Sequence, residues 1–435
     1  MKIESIEIAG YKNITRRVKV DQLGARSVVV LHGLNNVGKT NILEAIQLPF
    51  LLMGAKDTKL PFRQPTRLDL EGADLNDWFT LGAPTPITIT VTVTFTPEEL
   101  ERQGVQEVYS CRRVRIGIRV ELGVSGPEWQ INEYRFGDVD VVTLPTTDGA
   151  APDDPEVVRR ETFALWFARR VIHRRFLLVR LNRALHGEEA PRPRALIPDG
   201  LALALYDAKE SADPERYRRW EAFVRACSVF SDVLGNGVPV VTYDRSAGHA
   251  ALFLQSEAGR LPAHLLGSGV QQVLAILARL FVSGADVIAA EEPEASLSFG
   301  LHARLRDALH EIVGEGLGPS QMFITSHSPQ FGGAHDFIAV RSRDGAPEVD
   351  WRPPTDAAQF TGQALQPPMG GSAPVSYVTA EGLVRLPPFV TKALGVSAGG
   401  GVVFHEGKTE GRVEMLSNAT AIAELGWGAT DADEE

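Results

Sequence analysis

Gly33-Leu34-Asn35-Asn36-Val37-Gly38-Lys39-Thr40 is the stretch that decides the fold. It stands between a short β-branched run, Ser27 to Leu31, and a segment in which Ile42, Ala45 and Ile46 recur at helical spacing. A glycine-rich turn therefore joins a buried strand to a helix N-terminus. Glycines let such a turn wrap a phosphate closely, and the free backbone N–H groups at the helix start face its negative charge. In this pattern Lys39 reaches the β- and γ-phosphates of a nucleotide, Thr40 ligates Mg²⁺, and Gly33, Asn35, Asn36, Val37, Gly38 and Asn41 complete the cradle. The competing reading is a chance glycine turn, and the strand-to-helix context argues against it.

Working outward, Lys2 to Ile8 alternates apolar and polar residues, and Ile87 to Phe95 (ITITVTVTF) alternates strictly, as a strand with one wet face does. Thr146 to Pro155 is rich in Pro, Asp, Gly and Thr and reads as a loop and a domain boundary. From Glu156 to about Leu234 the reading is helical, with Phe163, Phe167 and Val171 four apart and a second helix around Tyr217 to Phe230. Pro191, Pro193 and Pro198 interrupt it without any sustained heptad, which excludes a long coiled-coil arm. Strands return at Val238 to Thr242 and Ala251 to Gln255. A helix at Gln271 to Phe281, a strand at Asp286 to Ala290, a helix at His302 to Val313 and a strand at Gln321 to Thr325 follow. Strands alternating with helices predict an α/β fold on a largely parallel sheet.

The chain has 435 residues, 44% of them hydrophobic, enough for one large core or two moderate ones. A formal charge of −11 opposes coating nucleic acid with the whole surface and leaves room for a local basic patch. Two distant cysteines, Cys111 and Cys227, suit a reducing compartment, and no window is apolar for long enough to span a membrane, so the expected location is cytoplasmic.

Three further stretches carry chemistry. The apolar strand Val287 to Ala290 runs into Glu291-Glu292-Pro293-Glu294. At the end of a strand in a P-loop sheet, Glu291 is placed to support a metal and Glu292 to act as general base; an acidic turn capping the next helix is the rival reading. Leu265-Leu266-Gly267-Ser268-Gly269-Val270-Gln271-Gln272 opens a helix, and Ser268 with Gly269 makes a second anion site. Thr325-Ser326-His327-Ser328-Pro329 puts an imidazole, His327, at a strand end, where it can donate to a γ-phosphate or an attacking water or serve structure alone.

In this order the motifs resemble the ABC-class ATPases of the RecF, SMC and OLD (overcoming lysogenisation defect) type. Gly33 to Thr40 matches Walker A, LLGSGVQQ the signature, EEPEASL a Walker B joined to a D-loop, and TSHSP the switch histidine; IEIAGYKNI is similar to the group's opening strand. Ser268 carries the signature hydroxyl one position later than usual, and Glu291 replaces the common Walker B Asp, both as in OLD-like heads. The Q-loop glutamine is not readable beyond a guess at Gln64. The resemblance covers about residues 1–50 and 255–335 and implies a P-loop ABC-type head; with the pattern along the chain, that head is expected at 1–150 and 237–345, around a compact, mainly helical insertion at 151–236. It implies a homodimer that sandwiches two ATP molecules with Mg²⁺, each between one subunit's Walker A and the other's signature.

The tail, 346–435, carries a weaker likeness. Gly401 to Glu410 resembles the first strand and glutamate (Glu406) of a TOPRIM nuclease module, and with Asp431-Ala432-Asp433 so close to the end it reads as a truncated remnant. Within 151–236, Arg159, Arg160, Arg169, Arg170, Arg174, Arg175, Arg180 and Arg183 suit either phosphate contact with DNA or RNA or a solvated face paired with local carboxylates. The expected function is an ATP-hydrolysing switch in prokaryotic DNA maintenance or anti-phage defence, with a nuclease or toxin as a separate effector. The alternatives are an assembly scaffold with little turnover and an OLD-like nuclease.

Overall fold

The computed structural model describes residues 1–53, 66–67, 75–79, 85–105, 111–124, 126–141, 155–173, 175–180, 199–246, 248–314, 318–332, 335–353, 402–406 and 413–417. The chain divides into two units, Met1–Ala357 and Ala358–Glu435. In chain order the first unit begins β1 (Lys2–Ala9), β2 (Val18–Val20), β3 (Val28–His32), α1 (Lys39–Leu52), β4 (Thr66–Arg67), β5 (Ile87–Thr94), α2 (Pro97–Arg102), β6 (Arg113–Gly123), β7 (Gly126–Phe136) and β8 (Val139–Asp140). It continues α3 (Pro155–Phe167), β9 (Phe176–Arg180), α4 (Asp199–Lys209), α5 (Pro214–Ser228), β10 (Val238–Asp244), β11 (His249–Ser256), β12 (Gly259–Pro262) and α6 (Ser268–Val282). It ends β13 (Val287–Glu291), α7 (Phe299–Gly314), β14 (Gln321–Ser326), α8 (Pro329–Gly332), β15 (Phe337–Arg343) and β16 (Ala346–Arg352).

One sheet runs β16-β15-β3-β14-β13-β9. All its pairings are parallel except the β15–β16 hairpin. Its central strands are apolar runs buried on both faces, VVVLH in β3 and QMFITS in β14, as a parallel sheet covered by helices requires. The other large sheet is antiparallel, ordered β2-β1-β5-β6-β7-β4 with β8 beside β7. On β5 the Ile and Val side chains turn into the core, and the threonines, Thr92 apart, face outward half-buried. β10, β11 and β12 form a small third sheet against α4 and α5.

A buried amide joins β14 of the parallel sheet to β1 of the antiparallel one. Gln321, at the start of β14, accepts from the Ile3 N–H at 2.8 Å, and its nitrogen faces the carbonyls of Ile3 (3.1 Å), Leu23 (2.9 Å) and Arg26 (3.3 Å). β1 is thereby fixed to the parallel sheet in one register.

Two expectations need correction. Residues 151–236 are not a separate insertion, because β9 pairs in parallel with β13 as the edge strand of the parallel sheet. Phe167 of α3 is likewise buried edge-on against Phe136 of β7, at 5.2 Å between ring centroids. FLLVR is a run of four apolar residues ending in Arg180 and flanked by helical patterns, and periodicity cannot distinguish so short a strand from helix. Only α4 and α5, beside β10, β11 and α6, keep the expected helical character away from that core. Nor does the head stop at 345: β16 pairs with β15 through the turn Asp344-Gly345, where both residues have positive φ (53° and 78°). Asp-Gly is the preferred pair for such a hairpin turn. Thr146 to Asp154 and Gln64 lie outside the described residues. So do Arg174 and Arg183. No helix among the described residues is long and apolar enough to cross a membrane. In the second unit β17 (Val402–Glu406) pairs antiparallel with β18 (Val413–Ser417), which puts Glu406 at the end of a strand; Asp431 and Asp433 lie outside the described residues.

Replacing Gln321 with Leu leaves a buried N–H and up to three carbonyls without partners. A stability loss of about 3 kcal/mol is expected in denaturant unfolding; an unchanged midpoint would show that the amide does not hold the sheets together.

Candidate functional site

β3, β14 and β13 lie side by side and parallel, so their C-terminal ends meet on one edge of the sheet. The loops leaving those ends are residues 33–38, 327–328 and 292–298. Gly33 follows β3 directly, and a Cβ there would come within 2.2 Å of the Val340 carbonyl of β15, so only glycine fits. Asn36 (φ 63°) and Gly38 (φ 101°) take left-handed conformations that bend the loop back onto the start of α1. Leu34, Asn35 and Asn36 are exposed, whereas Val37, Gly38 and Lys39 are buried.

Lys39 curls into its own loop, donating from Nζ to the carbonyls of Gly33 and Leu34, each at 2.8 Å. Burial draws its pKa down, and the carboxylates of Glu292, Glu294 and Glu291 oppose that shift. Its nearest carboxylate oxygen, Oε1 of Glu292, is 4.0 Å away. Thr40 donates from Oγ1 to Oε1 of Glu291 at 2.5 Å, across 251 residues of sequence. A hydroxyl and a carboxylate this close, beside an amide-lined loop, are the hard oxygen donors that Mg²⁺ takes alongside phosphate oxygens. The residues present therefore fit that ion.

Glu292 has φ 42°, left-handed for a residue with a side chain, a strain of roughly 1–3 kcal/mol. Its N–H is held by Thr325, donating to the backbone carbonyl at 3.0 Å and to Oγ1 at 3.2 Å. The carboxylate lies 3.5 Å from His327 Nδ1, at the outer limit of hydrogen-bonding distance. Contact with this imidazole holds Glu292 below the usual carboxylate range, and the same contact raises His327. The contact thus favours the charged form of Glu292. Glu294 is buried, accepts a short hydrogen bond from Ser326 Oγ, and is pushed up by burial. His32 is also buried, edge-on to Phe337, and burial next to Lys39 and His327 lowers it to about 3, which keeps it neutral.

Gly267 and Ser268 start α6 and are exposed. Gly269 packs so closely that a Cβ would meet the Ser296 carbonyl at 2.7 Å. The structure brings together Gly33 to Asn41, Glu291, Glu292 and His327 as one constellation. It sets Gly269 of α6 against Ser296, on the loop that follows Glu292.

Residues with no expected role complete the site. Asn13 accepts from Asn41 Nδ2 at 2.8 Å, and its side chain lies 3.0 Å from where a Gly38 Cβ would stand. Glu44 of α1, buried, accepts from Tyr11 (3.2 Å), Arg180 (2.5 Å) and, in a short contact, Lys12. Arg180 and Arg175, which reaches Asp286 at 3.6 Å, serve internal ion pairs rather than one basic face. A cavity of about 310 Å³ opens at the opposite end of the sheet, where Asp286 and Ser320 precede β13 and β14, away from this constellation.

A family model described as "AAA domain, putative AbiEii toxin, Type IV TA system" matches residues 160–331, a span that includes Ser268, Gly269, Glu291, Glu292 and His327. Among solved structures the chain is similar to an Smc head bound to the C-terminal winged-helix domain of ScpA. That match has 16% identity and a TM-score of 0.49, covering 82% of this chain and all of the other. An Smc head with an extended coiled coil, bound to the C-terminal domain of ScpA and derived from Pyrococcus furiosus, has 15% identity and a TM-score of 0.47, covering 84% and 100%. The SMC head domain of Thermotoga maritima has 12% identity and a TM-score of 0.42, covering 80% and 98%. No curated protein matches the chain.

Gly33→Ala forces its methyl into the Val340 carbonyl. The expected outcome is a loss of about 2 kcal/mol or more in a denaturant melt; wild-type stability would mean that β15 gives way there.

Proposed function

We propose that this chain, an ABC-class P-loop ATPase head in fold, binds ATP with Mg²⁺ and hydrolyses it, closing with a second copy while ATP is bound and opening after hydrolysis. The observation that carries this reading is the convergence of Lys39, Thr40, Glu291, Glu292 and His327 from three parallel strand ends. Backbone amides of the 33–38 loop and Lys39 hold the phosphates, with Lys39 giving up its two loop carbonyls to meet them. Thr40 and Glu291 hold the Mg²⁺, which when bound neutralises charge on the phosphate oxygens. Glu292 accepts the proton of a water whose oxygen attacks the γ-phosphorus, while the bond to the β-phosphate oxygen breaks and ADP leaves. His327 donates toward the γ-phosphate oxygens and steadies the Glu292 carboxylate.

The half-site geometry supports a dimer. Ser268 is exposed at the first turn of α6 and available to the nucleotide of a second head, as the signature requires. The toxin–antitoxin wording of the matched family supports a role in defence or DNA maintenance through a separate nuclease or toxin effector. Exposed Arg159, Arg169 and Arg170 leave DNA or RNA contact as part of that proposal.

Lys39→Ala is expected to weaken ATP binding by roughly 100-fold in a titration, since two charge-assisted contacts are lost. Glu292→Gln should keep ATP bound while slowing hydrolysis by about 10²–10⁴-fold, and accumulate as an ATP-dependent dimer in light scattering. Turnover at the wild-type rate would place the base elsewhere. Ser268→Arg should abolish that dimer and leave one head's ATP affinity intact; a head that no longer binds ATP would contradict the sandwich.

A further inference from the structure

Gln272 lies one helical turn beyond Ser268 on α6 and is buried, at 1% exposure. Its side-chain nitrogen donates to the carbonyl of Pro293 at 2.7 Å and to that of Glu292 at 3.3 Å. These are the two peptide groups that follow the strained φ of Glu292. The N–H before them is held from the other side by Thr325 of β14. The Glu292 backbone is therefore clamped between two elements, and its left-handed conformation has a partner at each end. Without the amide of Gln272 the Pro293 carbonyl loses its donor, the Glu292 carbonyl keeps only the Ala295 N–H of its own turn (3.1 Å), and the side-chain grip from α6 that opposes relaxation toward an ordinary φ is gone.

Such a relaxation rotates the whole residue. The Glu292 carboxylate, 4.0 Å from Lys39 and 3.5 Å from His327, would leave that position, whereas Lys39, Thr40 and the loop amides would keep theirs. We propose that Gln272 is a positioning residue for hydrolysis: it fixes the general base Glu292 by gripping the backbone on its C-terminal side, and so ties the signature helix to the base of the same head. Gly269, packed on the Ser296 carbonyl without room for a Cβ, makes a second contact between that helix and the same loop. Movement of α6 on meeting a second head's nucleotide is passed to Glu292 through these two contacts. The inference rests on the reading of Glu292 as general base given above.

The test uses the full chain with ATP and Mg²⁺. Gln272→Met keeps the volume and removes the donor; Gln272→Asn keeps the amide and withdraws it by one methylene. Each is expected to lower kcat tenfold or more, equivalent to about 1.4 kcal/mol of barrier. KM and titrated ATP affinity should stay within about twofold, and ATP-dependent dimerisation should persist, because only the base is displaced. A kcat within about twofold of wild type in a folded variant overturns the proposal. So does a parallel fall of kcat and affinity that follows the folded fraction, or failure of both variants to fold, since Gln272 would then be structural. Wild-type protein without turnover, or Glu292→Gln at the wild-type rate, is instead a failure of the ATPase reading itself.

Discussion

Parallel pairing of β3, β14 and β13 is the constraint from which the site follows. Parallel strands present their C-terminal ends on the same edge, so the P-loop, the His327 loop and the Glu291–Glu292 loop are delivered together however far apart they lie in sequence. Register then sets the details. Glu291 pairs beside Thr325, and Ser326 beside His32, which brings the acids opposite Thr40 and the imidazole opposite Glu292. A slip of one residue would turn each of these side chains to the other face of the sheet.

The antiparallel sheet reinforces this edge from one side. Gln321 fixes β1 to β14 at one end of the strands, and the Gly10 to Ile14 turn beyond the far end of β1 rests on the P-loop through Asn13 and on α1 through Lys12 and Tyr11. Glu44 gathers Lys12 from that turn and Arg180 from β9, so the first helix of the P-loop is tied to both flanks of the head. Polar groups buried in this way are stabilising only when all are paired, and here they also specify a single arrangement of the two sheets.

Burial and partners set the charge of each group at this edge of the sheet. His32 is neutral because it is buried next to Lys39. Glu292 is ionised because His327 faces it, and Glu294 shifts the other way because it lies deeper, with Ser326 as its donor. Glu292 and Glu294, two residues apart, thus shift in opposite directions, the one through its imidazole partner and the other through burial.

Local pattern determined much of this. Glycines at 33 and 38, a lysine and a threonine after them, and apolar runs ending in Glu-Glu and Ser-His are read directly from the sequence, because a phosphate loop and a buried strand each need short, contiguous residue types. Only the tertiary structure decided the rest. β9 was hidden because four apolar residues carry no period of their own, and the β15–β16 hairpin was missed although Asp344-Gly345 signals its turn. The roles of Asn13, Glu44, Gln272 and Gln321 could not be read at all. Each is an ordinary polar residue whose partners lie 20 to 318 positions away, as Gln272 does from Glu292 and Gln321 from Ile3. Long-range hydrogen bonds leave no periodicity in a chain, since what selects them is which strand lies beside which once the sheets have formed.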